Sequence, residues 1–389
     1  MSKVARLPHN IADDQVDLSL PGWVYHDAEY FRLEMARLIR PAWQIVCHAN
    51  EIARAGEWRT LEILGESIIV IRGDDGTPRA FANVCRHRGS RLLDGEAGCA
   101  KRLTCPYHAW TYATDGRLVG VPDRQDYPGL DPSALGLLPV ELENWRGFLF
   151  VRLESGGPSV AEMMAPHEAE IAPYQFEALR ALGRVTLRPR EVDWKNVADN
   201  YSDGLHITVA HPGLTRLFDR SYGVEAGAHV DRMWGELVER ESPNWSERAY
   251  QRLLPQVPQL PAAQQRRWLY FKLWPNVAFD IYPDQVDFMQ FLPVAPGGAL
   301  IREISYALPD ARREMRAARY LNWRINRRVN AEDTALIARV QQGMASRSFS
   351  MGPLGTSEVC LRSFCRRMRS LIPQAREPVR PAPGWATRR

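Results

Sequence analysis

The chain has 389 residues, which is enough for two domains, and 45% of them are apolar, as in ordinary globular proteins. Its net charge of +4 is small for this length and gives no reason to expect nucleic-acid binding. No run approaches the ~18 apolar residues that cross a bilayer, and residues 1–18 lack the apolar core of a signal peptide, so we expect a cytoplasmic protein without a membrane partner.

Residues 60–153 have the composition of a small β domain. β-branched residues are frequent before a turn signal at 73–76, and a second turn signal lies at 114–116. The segments with strand character are residues 60–72, 80–84, 109–113, 117–121 and 145–153. We therefore expect a sheet whose loops carry the two motifs described next.

Two short loops each combine one cysteine with one histidine. Cys85 and His87 form the first pair, and Cys105 and His108 form the second after seventeen intervening residues. Two thiolates and two imidazoles are the ligand set of a Rieske [2Fe–2S] cluster, which transfers single electrons. Structural zinc is the main alternative, although zinc clips commonly pair ligands of one type. Simple packing of buried side chains is the other alternative.

A second group of metal-ligand residues follows at residues 200–212. His206 comes three residues after Asp203, and His211 comes five residues after His206. Two histidines and a carboxylate form the facial triad of non-haem Fe(II) oxygen chemistry; structural or surface histidines are the alternative. On a straight helix the two histidines lie ~140° apart, but Pro212 disfavours helical backbone at His211. A helix that ends here lets the two rings converge, with Asp203 one turn before His206 on nearly the same face.

The C-terminal half shows a series of strands followed by a long helix. Strand-forming stretches, separated by turns that contain Pro or Gly, occupy residues 268–273, 277–282, 286–292 and 299–308. A helical pattern begins near residue 311 and ends near Gly343.

The two motifs together resemble those of the Rieske non-haem iron oxygenases, specifically their terminal oxygenase α subunits. C-x-H-x17-C-x2-H precedes D-x2-H-x4-H by about a hundred residues, and the resemblance covers nearly the whole chain. It implies an α+β fold with an all-β Rieske domain at residues 41–155. A helix-grip catalytic domain, in which an antiparallel sheet surrounds helices, is expected at 156–389, with residues 1–40 packed on it.

The resemblance also implies residue roles. The third iron ligand comes from the late helix, where Asp333 matches and Glu332 is the fallback; without the resemblance both carboxylates would be interpreted as a solvated helix face. Asp203 is expected to link His108 of one subunit to His206 of the next, as a carboxylate that fixes the ring of an iron ligand. This role requires a homo-oligomer, and the family's minimum unit is a trimer.

The implied activity is a mono- or dioxygenase reaction, in which O2 and two electrons hydroxylate or oxidatively demethylate a small organic substrate. We find no G-x-G-x-x-G after a strand and no further cysteine array. A separate reductase or ferredoxin is therefore expected, and NAD(P)H acts only through it. Five cations near the cluster loops are either solvated charges or a docking surface for an acidic partner. They are Arg86, Arg88, Arg91, Lys101 and Arg102.

Substrate identity is the least determined part of the sequence. The length and C-terminal pattern resemble oxygenases of betaines and other quaternary ammonium compounds, while an aromatic acid is the other candidate. Asn200, Phe279 and Tyr282 are candidates for the pocket wall, as is Phe288, although core packing is an alternative for the aromatic residues. A Rieske electron-transfer protein without oxygenase activity, and a structural zinc protein, are the competing functional classes.

Overall fold

The structure, a computed structural model, describes residues 17–387. Residues 1–16 of the expected N-terminal segment lie outside the described residues. Between residues 17 and 387 there are nine α-helices and eighteen β-strands. The described strands form three antiparallel sheets, and this arrangement confirms the α+β prediction.

The N-terminal domain is built on a seven-stranded sheet with the strand order β1-β10-β9-β4-β3-β2-β5 and, among the described strands, a smaller sheet β6-β7-β8. The strands are β1 Gln44–His48, β2 Glu57–Ile63, β3 Glu66–Arg72, β4 Pro78–Ala82, β5 Ala97–Cys99, β6 Leu103–Thr104, β7 Thr111–Tyr112, β8 Leu118–Gly120, β9 Pro139–Trp145 and β10 Phe148–Arg152. The small sheet and the loop after β4 carry the cysteine–histidine pairs.

Two tight turns divide segments that composition alone marks as continuous β structure. Leu64 and Gly65 both have positive φ, 55° and 75°, and they join β2 to β3 in a two-residue hairpin. Arg146 and Gly147, at 47° and 89°, join β9 to β10 in the same way. Positive φ at both central positions matches the twist of hairpin strands, and glycine adopts it without a steric penalty. The predicted closing strand therefore begins at residue 148 and not at 145.

The C-terminal domain contains a larger antiparallel sheet with the order β11-β18-β17-β16-β15-β14-β13, and β12 also pairs with β18. Its strands are β11 Arg180–Ala181, β12 Thr186–Arg190, β13 Gly223–Glu225, β14 Val230–Glu236, β15 Arg267–Leu273, β16 Val277–Ile281, β17 Val286–Ala295 and β18 Gly298–Ala307. The described helices are α1 Ala28–Glu34, α2 Val160–Met164, α3 Glu168–Ile171, α4 Trp194–Ser202, α5 Ile207–Ala210, α6 Pro212–Phe218, α7 Trp245–Leu253, α8 Arg313–Met344 and α9 Val359–Leu371.

The two faces of the β15–β18 sheet are chemically different because side chains alternate along each strand. One face carries Phe279 and Phe288, which are fully buried against Phe148 of the N-terminal domain. The other face carries Asp280 and Asp287, which are direct cross-strand partners. Helices α4 and α8 lie on this second face, and side chains from both helices line a pocket together with Asp280 and Asp287.

The segment that precedes the N-terminal domain packs against the C-terminal domain. Glu34 of this segment and Asp193 both form ion pairs with Lys195 of α4, at 2.9 and 2.7 Å, and all three side chains are buried. Trp385 near the other end of the chain packs edge-on against Trp23, with a centroid distance of 5.7 Å. Both termini of the described chain are thus anchored on the same domain.

Among residues 17–387, none of the helices combines the length and the apolar character that a bilayer-spanning segment needs.

Candidate metal centres

The two cysteine–histidine loops have the same backbone geometry. The N–H of Cys85 donates to the carbonyl of Ser90 at 2.8 Å, and the N–H of Cys105 donates to the carbonyl of Trp110 at 2.8 Å. In each loop the residue four positions after the cysteine donates back to the cysteine carbonyl, at 3.0 Å. Two separate sequences therefore fold into matching clips that face each other.

The clips bring their four side chains together. The rings of His87 and His108 are 4.6 Å apart between centroids, and His87 stacks on Trp110 at 4.8 Å. Cys85 and Cys105 are both buried. The Nδ1 atoms of both histidines are buried without a hydrogen-bond partner in the described part of the chain. Buried polar atoms are normally satisfied, so two unsatisfied nitrogens beside two thiols fit the ligand set of a [2Fe–2S] cluster.

Hydrogen-bond donors lie close to both cysteine sulfurs. The hydroxyl of Tyr112 lies 3.3 Å from Sγ of Cys85 and also accepts a hydrogen bond from the N–H of Arg86 at 2.9 Å. Burial opposes ionisation of Cys105, but hydrogen bonds from the backbone N–H groups of Tyr107 and His108 outweigh it and lower the pKa of this thiol.

The second centre forms where α4 ends. Asp203 has extended backbone (φ −81°, ψ 121°) and follows the last residue of α4. His211 is also non-helical (φ −116°, ψ 77°) and precedes Pro212, the first residue of α6. Helix α5 ends at Ala210, directly before His211, as expected from Pro212. The prediction that Asp203 and His206 share a helix face is wrong, because a loop separates α4 from α5 and brings the two side chains together.

Asp333 of α8 completes this centre, 122 positions after His211 in the sequence. The Nε2 atoms of His206 and His211 are 3.1 Å apart, and Oδ1 of Asp333 lies 3.5 and 3.0 Å from them, respectively. One ligand atom from each of the three residues lies within 4.8 Å of the others. Two imidazole nitrogens and one carboxylate oxygen that converge on one point fit a mononuclear iron with open positions.

Three further side chains contact the residues of this centre. Asp203 Oδ2 lies 3.2 Å from Nδ1 of His206, and Glu332 Oε2 lies 2.9 Å from Nδ1 of His211. The amide of Asn200 donates to Oδ1 of Asp333 at 3.0 Å and lies 3.1 Å from Nε2 of His206. Glu332 and Asp333 are consecutive on α8, and they approach the two opposite nitrogens of His211. Glu332, the alternative candidate for the third ligand, therefore contacts the nitrogen of His211 that points away from the centre. Asp333 lies at the point where the two Nε2 atoms converge.

The carboxylates create a strongly negative potential at this centre. Burial disfavours the charged imidazole of His206, but hydrogen bonds with Asp203 and Asp333 outweigh this effect and raise the pKa of His206 to about 9. The pKa of His211 is raised as well, against burial, by Asp333 and Glu332. A site that holds extra protons in this way stabilises positive charge, as expected for residues that bind a divalent cation.

A pocket opens between this centre and the β15–β18 sheet. Asn200 and Tyr282 line it, as expected from the sequence, whereas Phe279 does not. Positions 279 and 282 differ by three, so they point to opposite faces of an extended segment, and Phe279 packs in the aromatic core with Phe148. Phe288 lies on that same core side.

Sequence reasoning missed the polar residues that line this pocket. Asp280, Asp287 and Glu303 project from three adjacent strands, and all three line the pocket. A signal was available, because Asp280 stands between Phe279 and Ile281 in an otherwise apolar strand, and an aspartate in such a strand is uncommon.

The cations near the cluster are largely engaged in local contacts. Arg91 forms an ion pair with Glu62 at 2.9 Å, and Arg102 forms one with Asp74 at 3.1 Å. Arg88 donates to the hydroxyl of Tyr107, whose side chain is 55% exposed. The predicted docking surface for an acidic redox partner therefore carries less free charge than the sequence alone indicates.

Comparisons with known proteins match both halves of the chain. Residues 176–374 match the family described as ring hydroxylating alpha subunit (catalytic domain). Residues 42–137 match the Rieske [2Fe-2S] domain. These matches confirm the predicted domain order and the resemblance, and they imply a Rieske cluster and a mononuclear iron.

Two relatives act on quaternary ammonium compounds according to their names. The carnitine monooxygenase oxygenase subunit of Escherichia coli is 35% identical over 231 residues, which is 59% of either chain. The glycine betaine monooxygenase oxygenase subunit of Chromohalobacter salexigens is 36% identical over 235 residues, 60% of this chain and 52% of the relative. The alignments thus span less than two thirds of these relatives.

Solved structures share the fold over nearly the full length. The quaternary ammonium Rieske monooxygenase CntA in complex with L-carnitine has a TM-score of 0.76 at 24% identity, covering 95% of this chain and 99% of that chain. Naphthalene 1,2-dioxygenase from Rhodococcus sp. bound to indole has a TM-score of 0.75 at 20% identity, covering 92% and 94%. At these identities the likeness is one of fold.

Proposed function

Because the chain belongs to the family of ring-hydroxylating alpha subunits and carries a Rieske [2Fe–2S] domain before its catalytic domain, we propose that it is the terminal component of a multicomponent oxygenase. It uses O2 and two externally supplied electrons to hydroxylate or demethylate a small organic molecule. The observation that carries this proposal is the convergence of His206, His211 and Asp333 beside a pocket. A pure electron-transfer protein has no use for that arrangement.

The side chains divide into two metal-binding sets. Those that hold the Rieske cluster are Cys85, His87, Cys105 and His108. Those that hold the mononuclear iron are His206, His211 and Asp333. When bound, the two groups supply single-electron transfer and dioxygen activation.

The remaining residues of the centre orient the ligands. Asp203 and Glu332 accept hydrogen bonds from the Nδ1–H groups of His206 and His211, so that each Nε2 is free to bind metal. Asn200 holds Oδ1 of Asp333 toward the same point. The pocket beside the centre provides space for a substrate next to these ligands.

Asp203 also has a place in the assembly. Its side chain is about one-fifth exposed, so it lies within reach of a neighbouring molecule. We assign it as the bridge from His108 of one subunit to His206 of the next in a homotrimer. Electrons reach the cluster from a separate reductase or ferredoxin, with NAD(P)H as the indirect source, in the cytoplasm.

The names of the relatives favour quaternary ammonium substrates, which the enzyme would demethylate after hydroxylation of a methyl group. The domain boundaries that we assign are 41–155 for the Rieske domain and 156–389 for the catalytic domain.

Metal analysis and oxygen uptake test the proposed function. We expect about three irons per chain, two in the cluster and one in the catalytic domain, together with the electron paramagnetic resonance spectrum of a reduced Rieske cluster. With a generic reductase and NADH, O2 uptake should increase when a substrate of the right class is added. Zinc without iron contradicts the proposal, and two irons without substrate-dependent uptake support the electron-transfer alternative.

A further inference from the structure

We propose that the pocket beside the iron site selects organic cations that carry no carboxylate, in preference to zwitterionic betaines and aromatic acids. This inference rests on the proposed function, because it assigns the chemistry of the substrate to that site. The charges and aromatic rings of the pocket wall support it.

The floor of the pocket is a row of carboxylates on three adjacent strands. Asp280 of β16 is the direct cross-strand partner of Asp287 of β17. Glu303 of β18 lies opposite Met289 and projects to the same face as Asp287. Both aspartates are buried, with 8% and 7% of their surface exposed. Like charges directly opposite each other in a sheet are destabilising, and burial increases this cost.

The hydrogen-bond partners of these aspartates are neutral side chains. Asp280 accepts hydrogen bonds from the hydroxyls of Tyr201 at 2.5 Å and Tyr282 at 3.4 Å. Asp287 accepts from the amide of Gln285 at 2.9 Å. Among the described residues that line the pocket there is no lysine and no arginine. Burial raises the pKa of Asp280 to about 7, which is the expected sign of a carboxylate without a cationic partner.

Glu303 differs from the two aspartates because it has a counter-ion outside the pocket. Arg188 of β12 lies 3.1 Å from its carboxylate. The carboxyl groups that lack a cationic partner are thus Asp280 and Asp287. A substrate carboxylate would meet these groups on the sheet side and Asp203 and Asp333 on the iron side, and the described lining offers it no lysine or arginine.

Aromatic rings provide the second, independent indication of a cation. Tyr270 lines the pocket and is nine-tenths buried. The rings of Tyr201, Tyr222 and Tyr282 lie 6.5, 6.2 and 6.3 Å from its ring, measured between centroids. Tyrosine faces attract alkylammonium groups, so four tyrosines around buried carboxylates form a wall that is complementary to a cation.

Isothermal titration calorimetry on the anaerobic holoenzyme tests the inference with a matched pair of probes. Carnitine and its methyl ester share the trimethylammonium group, but only carnitine carries a carboxylate. We expect the ester to bind at least about tenfold more tightly, which is 1.4 kcal/mol. A neutral analogue with a tert-butyl group in place of trimethylammonium should bind more weakly than the ester. Equal or tighter binding of carnitine, or equal binding of the neutral analogue, overturns the inference.

Substitutions assign the effect to the sheet. Asp280→Asn and Asp287→Asn should each weaken binding of the ester about fivefold or more while affinity for the neutral analogue stays unchanged. Asp284→Asn is the matched control, since Asp284 is equally buried but binds Tyr250 and lies outside the lining of this pocket. If both test variants bind the ester like the native protein, the assignment to these carboxylates is wrong.

The iron content and reductase-driven O2 uptake of the same preparation separate the two proposals. A preparation that binds no iron at His206 and His211 contradicts the proposed function. An iron-loaded, active enzyme that prefers carnitine to its ester contradicts only the inference about charge.

Discussion

Asp203 Oδ2 lies 3.2 Å from Nδ1 of His206, the ring nitrogen opposite the one that faces Asp333. The carboxylate therefore fixes the tautomer that leaves Nε2 available. Burial works against ionisation of Asp203, but hydrogen bonds from His206 and from the backbone N–H of Leu205 outweigh it and hold the pKa of this carboxyl below its usual value. Asp203 is thus an anion at neutral pH that contacts a histidine of the proposed iron site and is also partly exposed.

Asp203→Asn should retain the Rieske cluster and the mononuclear iron but nearly abolish coupled turnover, because the amide carries no charge and does not bridge two imidazoles in the same way. Rapid-mixing kinetics of cluster oxidation measure the effect, and metal analysis verifies that both centres are loaded. Asp219→Asn, at an exposed position after α6, is the control. Normal electron transfer from the cluster to the iron in Asp203→Asn would exclude the bridge.

Substitution of the two adjacent acids on α8 should distinguish the residue that binds the iron from the residue that orients His211. Asp333→Ala should lose the mononuclear iron and keep the cluster, so that iron falls from about three to about two per chain. Glu332→Gln should keep the iron but bind it about 10- to 100-fold more weakly, because the hydrogen bond to Nδ1 of His211 loses its charge. Competition with a chelator measures both affinities.

The exposed Glu314 at the start of α8 provides the control for these variants, as Glu314→Gln. If Glu332→Gln loses the iron completely while Asp333→Ala retains it, the two roles are reversed.

Tyr112→Phe should lower the reduction potential of the cluster by tens of millivolts. The hydroxyl of Tyr112 lies 3.3 Å from Sγ of Cys85, and a hydrogen bond to a cluster sulfur stabilises the more negative, reduced state. Spectroelectrochemistry measures the potential. Tyr127→Phe is the control because the ring of Tyr127 packs against His87 at 5.8 Å; a shift of equal size in that variant would argue against the role of the hydroxyl.

Binding of a cationic ligand should strengthen as the pH rises from about 6 to about 8. Burial raises the pKa of Asp280 to about 7, so its negative charge is present above this pH and lost below it. The titratable groups that face Asp280 are Tyr201, Tyr270, Tyr282, Asp287 and Glu303. Of these, Asp287 also has a raised pKa, through burial and the nearby Asp280, so its effect has the same sign. Calorimetry with carnitine methyl ester measures the trend, and a flat profile would contradict it.

The same raised pKa has an opposite effect on stability. Between about pH 4 and pH 7 the folded protein binds more protons at Asp280 than the unfolded chain does. The free energy of unfolding contributed by this group therefore falls as the pH rises through that range. A denaturation series of the ligand-free protein at several pH values, compared with Asp280→Asn, isolates this contribution.

Local motifs were readable from the sequence because their ligands lie close together in the chain. Both cysteine–histidine pairs and the histidines at 206 and 211 fall within short loops, and the helix expected at 311–343 is observed at Arg313–Met344. Asp333 was selected only through the family resemblance, since helical periodicity alone gives no reason to bring it to His211. Its role as a ligand, like the roles of the other site residues, stays a prediction.

The errors have physical causes in backbone geometry and in long-range pairing. The helix-face relation between Asp203 and His206 was wrong because α4 ends at Ser202. The prediction that Phe279 lines the pocket with Tyr282 is wrong because the two positions are three apart, and side chains of an extended segment alternate with a period of two. The carboxylate row was missed because its members come from three strands, and only the register of the sheet makes them neighbours.

The two faces of the β16–β18 sheet offer a practical rule for protein engineering. Positions 280, 287 and 303 face the pocket, while positions 279, 288 and 304 face the aromatic core shared with the N-terminal domain. A mutant library confined to the first set should alter which molecules enter the pocket while the joint between the domains stays intact. A library that also varies the second set would contain many variants that fold poorly, because those side chains are buried in the core.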